Sequence, residues 1–255
     1  MPIENYVIHL ASQSVRKTEF LDRNGGFATF NWSAGRLGSE LNLSSLVAEG
    51  LLAAEMVAEP IVGPNPRFTA PALGSSLAHV DLWKLAVAEN QSITILENDA
   101  ILAPNYQSTI TDLTGAHPDF DFIQWGWNWD SKFHARILGN MGLVECHFSQ
   151  AEIPSHITNF QKLVTPHLLV KLIHSWGIHC YTISPKGAEK LLNTVLPLST
   201  KLIDRLDVGV SYYPTTLDGI MNGLYPKLNA YACWPPLTVA ENDQARSSVG
   251  QLTLP

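Results

Sequence analysis

Two carboxylates separated by a single amide follow a short apolar, β-branched run in the segment "SITILENDAIL", residues 92–102. The three residues are Glu97, Asn98 and Asp99. Because side chains alternate between the two faces of a strand, Glu97 and Asp99 can point the same way while Asn98 points elsewhere. Mg²⁺ and Mn²⁺ take carboxylate oxygens as ligands, together with the phosphates of a bound molecule. The triplet therefore indicates a candidate divalent-metal site, and a solvated turn after a strand is the alternative.

A histidine and a tryptophan precede this segment and lie one helical turn apart. His79 and Trp83 belong to a stretch whose pattern predicts a helix from about Ser76 to Glu89. We expect one of the serines after Gly74 to cap this helix, and the glycine to allow close approach of another backbone. The first free amides of the helix could then hold an anion. Packing of the histidine and the tryptophan in the core is the alternative.

The elements that would position these residues alternate between strands and helices. An apolar strand leads into a helix that begins near Ser14, residues 93–97 form a buried-type strand, and "GIHCYTIS" forms another. Ser184-Pro185 is typical of a helix start, and apolar residues follow it at helical spacing. This alternation predicts an α/β fold with a mostly parallel central sheet flanked by helices. Ligands of such sheets bind beyond the carboxyl ends of the strands, where the acidic triplet would lie.

Composition limits the classes of protein to which the chain can belong. With 255 residues, 45% of them hydrophobic and 15% charged, we expect one globular domain over residues 1–255. The net charge of -7 argues against a nucleic-acid partner, because phosphate backbones are bound by clustered Lys and Arg. Three distant cysteines, Cys146, Cys180 and Cys233, favour a reducing compartment over a disulfide framework, and they lack the spacing of zinc ligands.

The chain start "MPIENYVIHL" shows no signal-peptide pattern, and no apolar run reaches the roughly 20 residues of a spanning helix. A cytoplasmic protein is therefore expected. Peripheral contact with the inner face of a membrane is left open, and so is the oligomeric state.

Several motifs, taken in order, resemble glycosyltransferase family 25, which includes lipooligosaccharide β-galactosyltransferases and the collagen galactosyltransferase domain. The first is Gly-x-Ser-x-x-His-x-x-x-Trp followed by Ile-Leu-Glu-Asn-Asp, at positions 74–83 and 95–99. The segments "VIHLASQSVR", "FATFNWSAGRLG", "GIHCYTISPKGAEKLL", "LIDRLD" and "WPPLTVAENDQARSSV" are similar to further parts of the family pattern. Residues 130–176 match poorly and are expected to form a variable segment on the acceptor side.

The resemblance implies a GT-A-like nucleotide-binding fold and a UDP-sugar donor, most often UDP-galactose. It also implies a divalent cation, Mn²⁺ or Mg²⁺, inversion at the anomeric carbon, and transfer of a hexose to a hydroxyl of a glycan such as lipooligosaccharide. A cation stabilises the charge that develops on the leaving diphosphate, and a carboxylate or histidine serves as general base for the acceptor hydroxyl.

By this resemblance, Asp99 is the expected metal ligand, and Glu97 contributes directly or through water. Asn98 departs from the usual Glu-Asp-Asp and brings no charge, so metal affinity should drop if the middle residue touches the metal. The residues expected to contact the donor nucleotide are Ser12, Arg16, Ser76, His79 and Asn98. For Arg16, a surface charge is the alternative.

Three further residues are expected to take part in catalysis. His179 would ligate the metal or lie beside the donor, and a hydrogen-bonded strand histidine is the alternative. Asp204 is preferred to Asp207 as general base or acceptor-binding residue, and a solvated helix start is the alternative for both.

Two other groups carry weaker expectations. In the tail, Arg246 and the two serines that follow it would fold over the diphosphate, or belong to an ordinary frayed terminus. Trp125, Trp127 and Trp129 would share one face of a strand and stack on a sugar or a base, with core packing as the alternative.

Two functions of different class remain open from the residues. The preferred one is an active, metal-dependent glycosyltransferase. The other is a transferase-like module of weak or no activity that binds a sugar nucleotide or glycan, and Asn98 is the sequence feature that favours it.

Overall fold

Thirteen strands are present in the computed structural model, which describes residues 3–57 and 68–241. They are β1 Glu4–His9, β2 Asn31–Ala34, β3 Ile93–Glu97, β4 Ala100–Leu102, β5 Phe122–Gly126, β6 Phe133–Ile137, β7 Gly142–Cys146, β8 Leu168–His174, β9 Cys180–Ile183, β10 Ile203–Arg205, β11 Val210–Tyr212, β12 Ala230–Trp234 and β13 Thr238–Ala240. Nine of them form one sheet in the order β2-β1-β3-β9-β5-β12-β8-β6-β7. The pairs β10–β11 and β4–β13 form two separate ribbons.

Helices cover both faces of this sheet. They are α1 Ser14–Asn24, α2 Leu43–Ala48, α3 Ala70–Ala88, α4 Tyr106–Ala116, α5 Ile153–Phe160, α6 Pro185–Val195 and α7 Leu217–Asn222. Apolar side chains of α3 and α6 pack on one face of the sheet, and those of α1 and α4 pack on the other. In the described part of the chain, no helix is long and apolar enough to cross a membrane.

The sheet is mixed, and the prediction of a mostly parallel sheet is wrong. β1 is parallel to β2 and β3, and β5 is parallel to β12, but the other five neighbouring pairs are antiparallel. β9 lies antiparallel between β3 and β5, and β6, β7 and β8 extend the sheet by antiparallel pairing. Alternation of strands and helices along a chain does not determine between which neighbours a strand from later in the sequence, such as β9, is placed. The strands of residues 130–176 also lack a strong hydrophobic pattern.

Local signals were reliable at three elements. The strand at 93–97 and the helix starts at Ser14 and Ser184 are confirmed. The Ser184 side chain accepts the amide N–H of Gly187, and Pro185 occupies the first helical position, so both signals act as expected.

The helix predicted to begin near Ser76 begins earlier. It starts at Ala70, and the Thr69 hydroxyl accepts the amide N–H of Ala72. Gly74 and Ser76 therefore lie inside α3, and the Ser76 hydroxyl donates to the carbonyl oxygen of Ala72 at 2.7 Å. A threonine followed by a proline two residues later is typical of a helix start. The Pro- and Gly-rich run before it favours a loop, and so the sequence pattern does not predict the helix start there.

Trp125, in β5, and Trp127, just after it, do not share one face. Trp125 packs in the cluster on the α1 and α4 side, whereas Trp127 packs in the cluster on the α3 and α6 side. The pairing of β5 with β9 shifts register between Gln124 and Gly126, and such an irregularity breaks the two-residue period. Both side chains are buried and pack in the core, so they do not stack on a sugar or a base.

Candidate functional site

Three parallel strands end beside one cavity. β1, β2 and β3 run in the same direction, so their carboxyl ends meet at the same edge of the sheet. The N-terminal turns of α1 and α3 border this edge, and the cavity has a volume of about 300 Å³. Its walls are Ile8, Leu10, Gln13, Arg16, Glu19, Phe20, Arg23, Gly35, Arg36, Leu37, Gly38, Ser39, Ala70, Pro71, Ser75, Ala78, Glu97, Asn98, Asp99, Ala100 and Glu241.

The acidic triplet lines this cavity, but not through strand alternation. β3 ends at Glu97, and Asn98 and Asp99 form the turn that leads into β4. All three residues therefore line the same cavity. The expectation that residue 98 points elsewhere is wrong, because a turn does not keep the two-residue period of a strand.

Glu97 is held by a buried histidine. Its Oε1 lies 3.3 Å from Nε2 of His79, and its backbone N–H donates to the carbonyl oxygen of His179 at 2.9 Å. On the other side of the His79 ring, Nδ1 lies 2.9 Å from the hydroxyl of Tyr181, which also accepts the indole N–H of Trp83 at 2.8 Å. The carboxylate therefore ends a buried chain of hydrogen bonds that begins at the tryptophan.

The two carboxylates differ in electrostatics. Burial is the largest single influence on Glu97 and acts to raise its pKa, but the hydrogen bond from His79 and the electrostatic effects of His79 and His179 together outweigh it, so the pKa lies below its ordinary value. Burial raises the pKa of Asp99 to about 7, with repulsion from Glu97 as the second cause, while the charge of Arg16 acts to lower it. The Asp99 Oδ1 atom is buried and has no hydrogen-bond partner among the described residues. A positive ligand between the two carboxylates would satisfy this oxygen.

A divalent cation fits this pair of carboxylates in one specific way. In the described part of the chain, no group of three or more His, Cys, Asp or Glu side chains is arranged to hold a metal. Mg²⁺ is usually bound through one or two carboxylates, with water and substrate phosphates as the other ligands. Glu97 and Asp99 fit that pattern, in which water and phosphate oxygens would supply the remaining ligands.

Three arginines line the same cavity, and two of them are placed by acidic partners. Arg36 donates from two nitrogens to the Asp81 carboxylate, each at 2.7 Å, and Arg23 pairs with Glu241 at 3.3 Å. Of the three, only Arg16 is predicted from the sequence to lie at the site. Arg36 lies in a segment that resembles the family pattern. Its bidentate pairing with Asp81 could not be predicted without the fold. No local sequence pattern points to Arg23, because its partner Glu241 is distant in sequence.

At Gly74, helix α3 contacts the backbone of Arg36, a residue that lines the cavity. A Cβ atom at this position would collide with the carbonyl oxygen of Arg36. The prediction of close backbone approach at Gly74 is confirmed, and its partner is the segment after β2. The contact fixes the backbone of Arg36 against the first turns of α3.

The other predicted residues lie outside the lining of this cavity. Ser12 is exposed in the turn before α1, and Ser76 is buried inside α3. Asp204 and Asp207 are exposed on the β10–β11 hairpin, where Arg205 pairs with Asp207 at 2.7 Å. They lie on a hairpin, not at a helix start. Arg246 and the serines after it lie outside the described residues.

His179 is buried beside the acidic triplet without lining the cavity. It lies just before β9, and its Nε2 is 3.3 Å from the hydroxyl of Thr238. Burial lowers the pKa of His179 to about 4, so the ring is neutral at pH 7. Its Nδ1 has no hydrogen-bond partner among the described residues.

The raised pKa of Asp99 gives a pH dependence with a definite sign. An unfolded aspartate loses its proton near pH 3.8, whereas the folded one keeps it until about pH 7. Between these values the native state binds the extra proton, so the Asp99 contribution to stability falls as the pH rises. We expect wild-type protein in EDTA to lose stability relative to Asp99→Asn as the pH is raised from 4 to 7, measured by urea unfolding. Excess Mn²⁺ should remove the difference, and parallel curves in EDTA would contradict the assignment.

Comparison with known proteins identifies the family. A family model described as glycosyltransferase family 25 (LPS biosynthesis protein) matches residues 53–206, which is more than half of the chain. The matched range contains Gly74, the acidic triplet, His179 and Asp204. No individually curated protein matches the chain. The chain therefore belongs to glycosyltransferase family 25, and its activity is sugar transfer to a glycan acceptor.

Proposed function

We propose that this protein transfers a hexose, galactose in the first instance, from a UDP-sugar to a hydroxyl of a glycan such as lipooligosaccharide. The reaction inverts the anomeric carbon and uses Mn²⁺ or Mg²⁺, on a GT-A-like fold. The observation that carries the proposal is the cavity at the ends of three parallel strands, where Glu97 and Asp99 face the arginine side chains.

Glu97 and Asp99 would hold the cation, and the cation would stabilise the charge on the leaving diphosphate. The unpartnered Asp99 oxygen and the raised pKa of its carboxyl support this assignment, because both are costs that a bound cation relieves. Arg16 is placed to add positive charge at the diphosphate, since its charge already acts on Asp99.

The apolar part of the cavity suits the nucleoside. Its side chains include Ile8, Leu10, Phe20 and Leu37. Small-molecule sites are mostly apolar, with a few polar groups that fix orientation, and they begin at about 300 Å³. The base would occupy the apolar part and the diphosphate the acidic and basic part.

Three side chains are candidates for the general base that activates the acceptor hydroxyl, and they are not equally suitable. His179 is buried, which leaves it no route to an incoming hydroxyl, so we assign it to support of the metal side. The hydrogen bond from Arg205 lowers the pKa of Asp207 and makes this carboxylate a weaker base. Asp204 is exposed, and we keep it as the preferred general base.

Donor hydrolysis tests the proposal directly. The purified protein is incubated with a panel of UDP-sugars in Mn²⁺ and in EDTA, and released UDP is measured. We expect release with at least one UDP-hexose, and its loss in EDTA. If no donor is hydrolysed or bound, the proposal is wrong. Binding of a UDP-sugar without release, in the presence of sugar acceptors, would favour the alternative of an inactive module.

Asn98 offers a test of the metal geometry. Because Asn98 lines the same cavity as the two acids, Asn98→Asp adds a third carboxylate and should tighten Mn²⁺ by about tenfold. Isothermal titration with Mn²⁺ measures the change. Asn140→Asp, on an exposed turn between β6 and β7, makes the same charge change elsewhere and should leave the titration unaltered. Equal affinities for wild type and Asn98→Asp would place residue 98 away from the metal.

A further inference from the structure

Three side chains from distant parts of the chain meet at one buried hydroxyl. The Tyr181 oxygen lies 2.8 Å from the indole nitrogen of Trp83 and 2.9 Å from Nδ1 of His79. All three side chains have 0% exposure, so water does not compete for these bonds. The Tyr181 ring is held by stacking on Phe122, with ring centroids 4.9 Å apart. The hydroxyl is therefore fixed in place from two sides.

The hydrogen atoms in this chain can be assigned. An indole nitrogen only donates, so the Tyr181 oxygen accepts from Trp83. The Glu97 carboxylate only accepts, so Nε2 of His79 carries a hydrogen. If the Tyr181 hydroxyl donates to Nδ1, every group is satisfied and the imidazole is neutral. If Nδ1 also carried a hydrogen, the Tyr181 hydroxyl hydrogen would be buried without an acceptor among its contacts in the described chain, which is costly.

We propose that Tyr181 is a positioning residue that donates to Nδ1, holds the His79 ring with its Nε2–H toward Glu97 and, through it, aims the Glu97 carboxylate into the cavity. Trp83 orients the hydroxyl by occupying its lone pair, so its single hydrogen points to His79. This inference rests on the proposed function, in which Glu97 holds the cation. Hydrogen-bonded partners behind a ligand orient it, and their loss commonly lowers metal affinity by about 10- to 100-fold.

The tautomer can be read directly in the metal-free wild-type protein. Protein labelled with ¹⁵N-histidine is studied by long-range ¹H–¹⁵N correlation NMR at neutral pH in EDTA, and loss of signals in His79→Gln assigns the ring. We expect a pyrrole-type Nε2 and a pyridine-type Nδ1. A protonated Nδ1 in the wild-type ring would overturn the proposal. This measurement needs no variant of Tyr181 and does not depend on sugar transfer.

Tyr181→Phe removes the hydroxyl and keeps the stacked ring. Its matched control is Tyr225→Phe, because Tyr225 is also fully buried and contacts the same Phe122 ring, at 5.4 Å between centroids. We expect Tyr181→Phe to shift and broaden the His79 ring signals, because Nδ1 loses its partner, and to bind Mn²⁺ about tenfold more weakly, and Tyr225→Phe to match wild type in both.

The outcomes separate this inference from the proposed function. If wild type binds no Mn²⁺, the proposed metal site is wrong, and comparing the His79 ring signals of wild type and Tyr181→Phe still decides the role of Tyr181. If wild type binds Mn²⁺ and Tyr181→Phe binds it equally well, Tyr181 does not position Glu97. An unchanged His79 spectrum in Tyr181→Phe would show that Tyr181 does not hold the ring and would overturn the proposal.

Discussion

Replacing Asp99 by asparagine is expected to lower metal-dependent UDP release by about 100-fold or more while the protein stays folded. Asparagine keeps the shape of the side chain and removes its charge, so the cavity retains one carboxylate from the triplet, that of Glu97. The fold should not suffer, because the wild-type carboxyl is buried against Glu97 with one oxygen unpartnered. Removing that charge relieves a repulsion in the metal-free state.

Three measurements check this prediction. UDP release from the best donor is compared at saturating Mn²⁺, Mn²⁺ affinity is titrated, and stability is followed by urea unfolding. Asp112→Asn serves as the control, since Asp112 is exposed on α4 and takes no part in the cavity. An Asp99→Asn protein that releases UDP at the wild-type rate would remove Asp99 from the metal site. Loss of activity together with unfolding would indicate a structural role instead.

Gly74→Ala is expected to destabilise the protein by about 3 kcal/mol or more and to impair the donor cavity. The added Cβ would meet the backbone carbonyl of Arg36, and a backbone atom cannot move aside by rotating a side chain. The segment after β2 would have to leave α3, and Arg36 would shift relative to Asp81. Donor affinity should therefore fall as well. Thermal unfolding should show a midpoint lower by about 6 to 12 °C.

The matched control for this substitution is Gly115→Ala. Gly115 is also helical, near the end of α4, and a Cβ there meets nothing within 4 Å. Alanine is a better helix former than glycine, so this variant should be unchanged or stabilised by up to about 1 kcal/mol. If both variants were equally stable, the close approach at Gly74 would not contribute to the fold.

Much of the candidate site and of the fold around it could be predicted because the signals are local. The buried strand 93–97, the acids after it and the capped helix at Ser184 each depend on residues within a few positions. Where the prediction for Asn98 failed, a contact distant in sequence decided the result. Asn98 faces the cavity because the chain turns to form β4, and that ribbon exists only through pairing with β13, more than a hundred residues later.

The sequence by itself determined the family, the position of the acidic triplet and the alternation of strands with helices. These depend on residue types and short spacings, which the printed chain contains in full. Tertiary structure alone decided the mixed sheet, the Arg23–Glu241 pair and the meeting of Trp83, His79 and Tyr181 behind Glu97. The physical reason is that hydrogen bonds between side chains depend on separations of about 3 Å in space. β9 brings Tyr181 beside β3 by antiparallel pairing, and no local pattern specifies that neighbour.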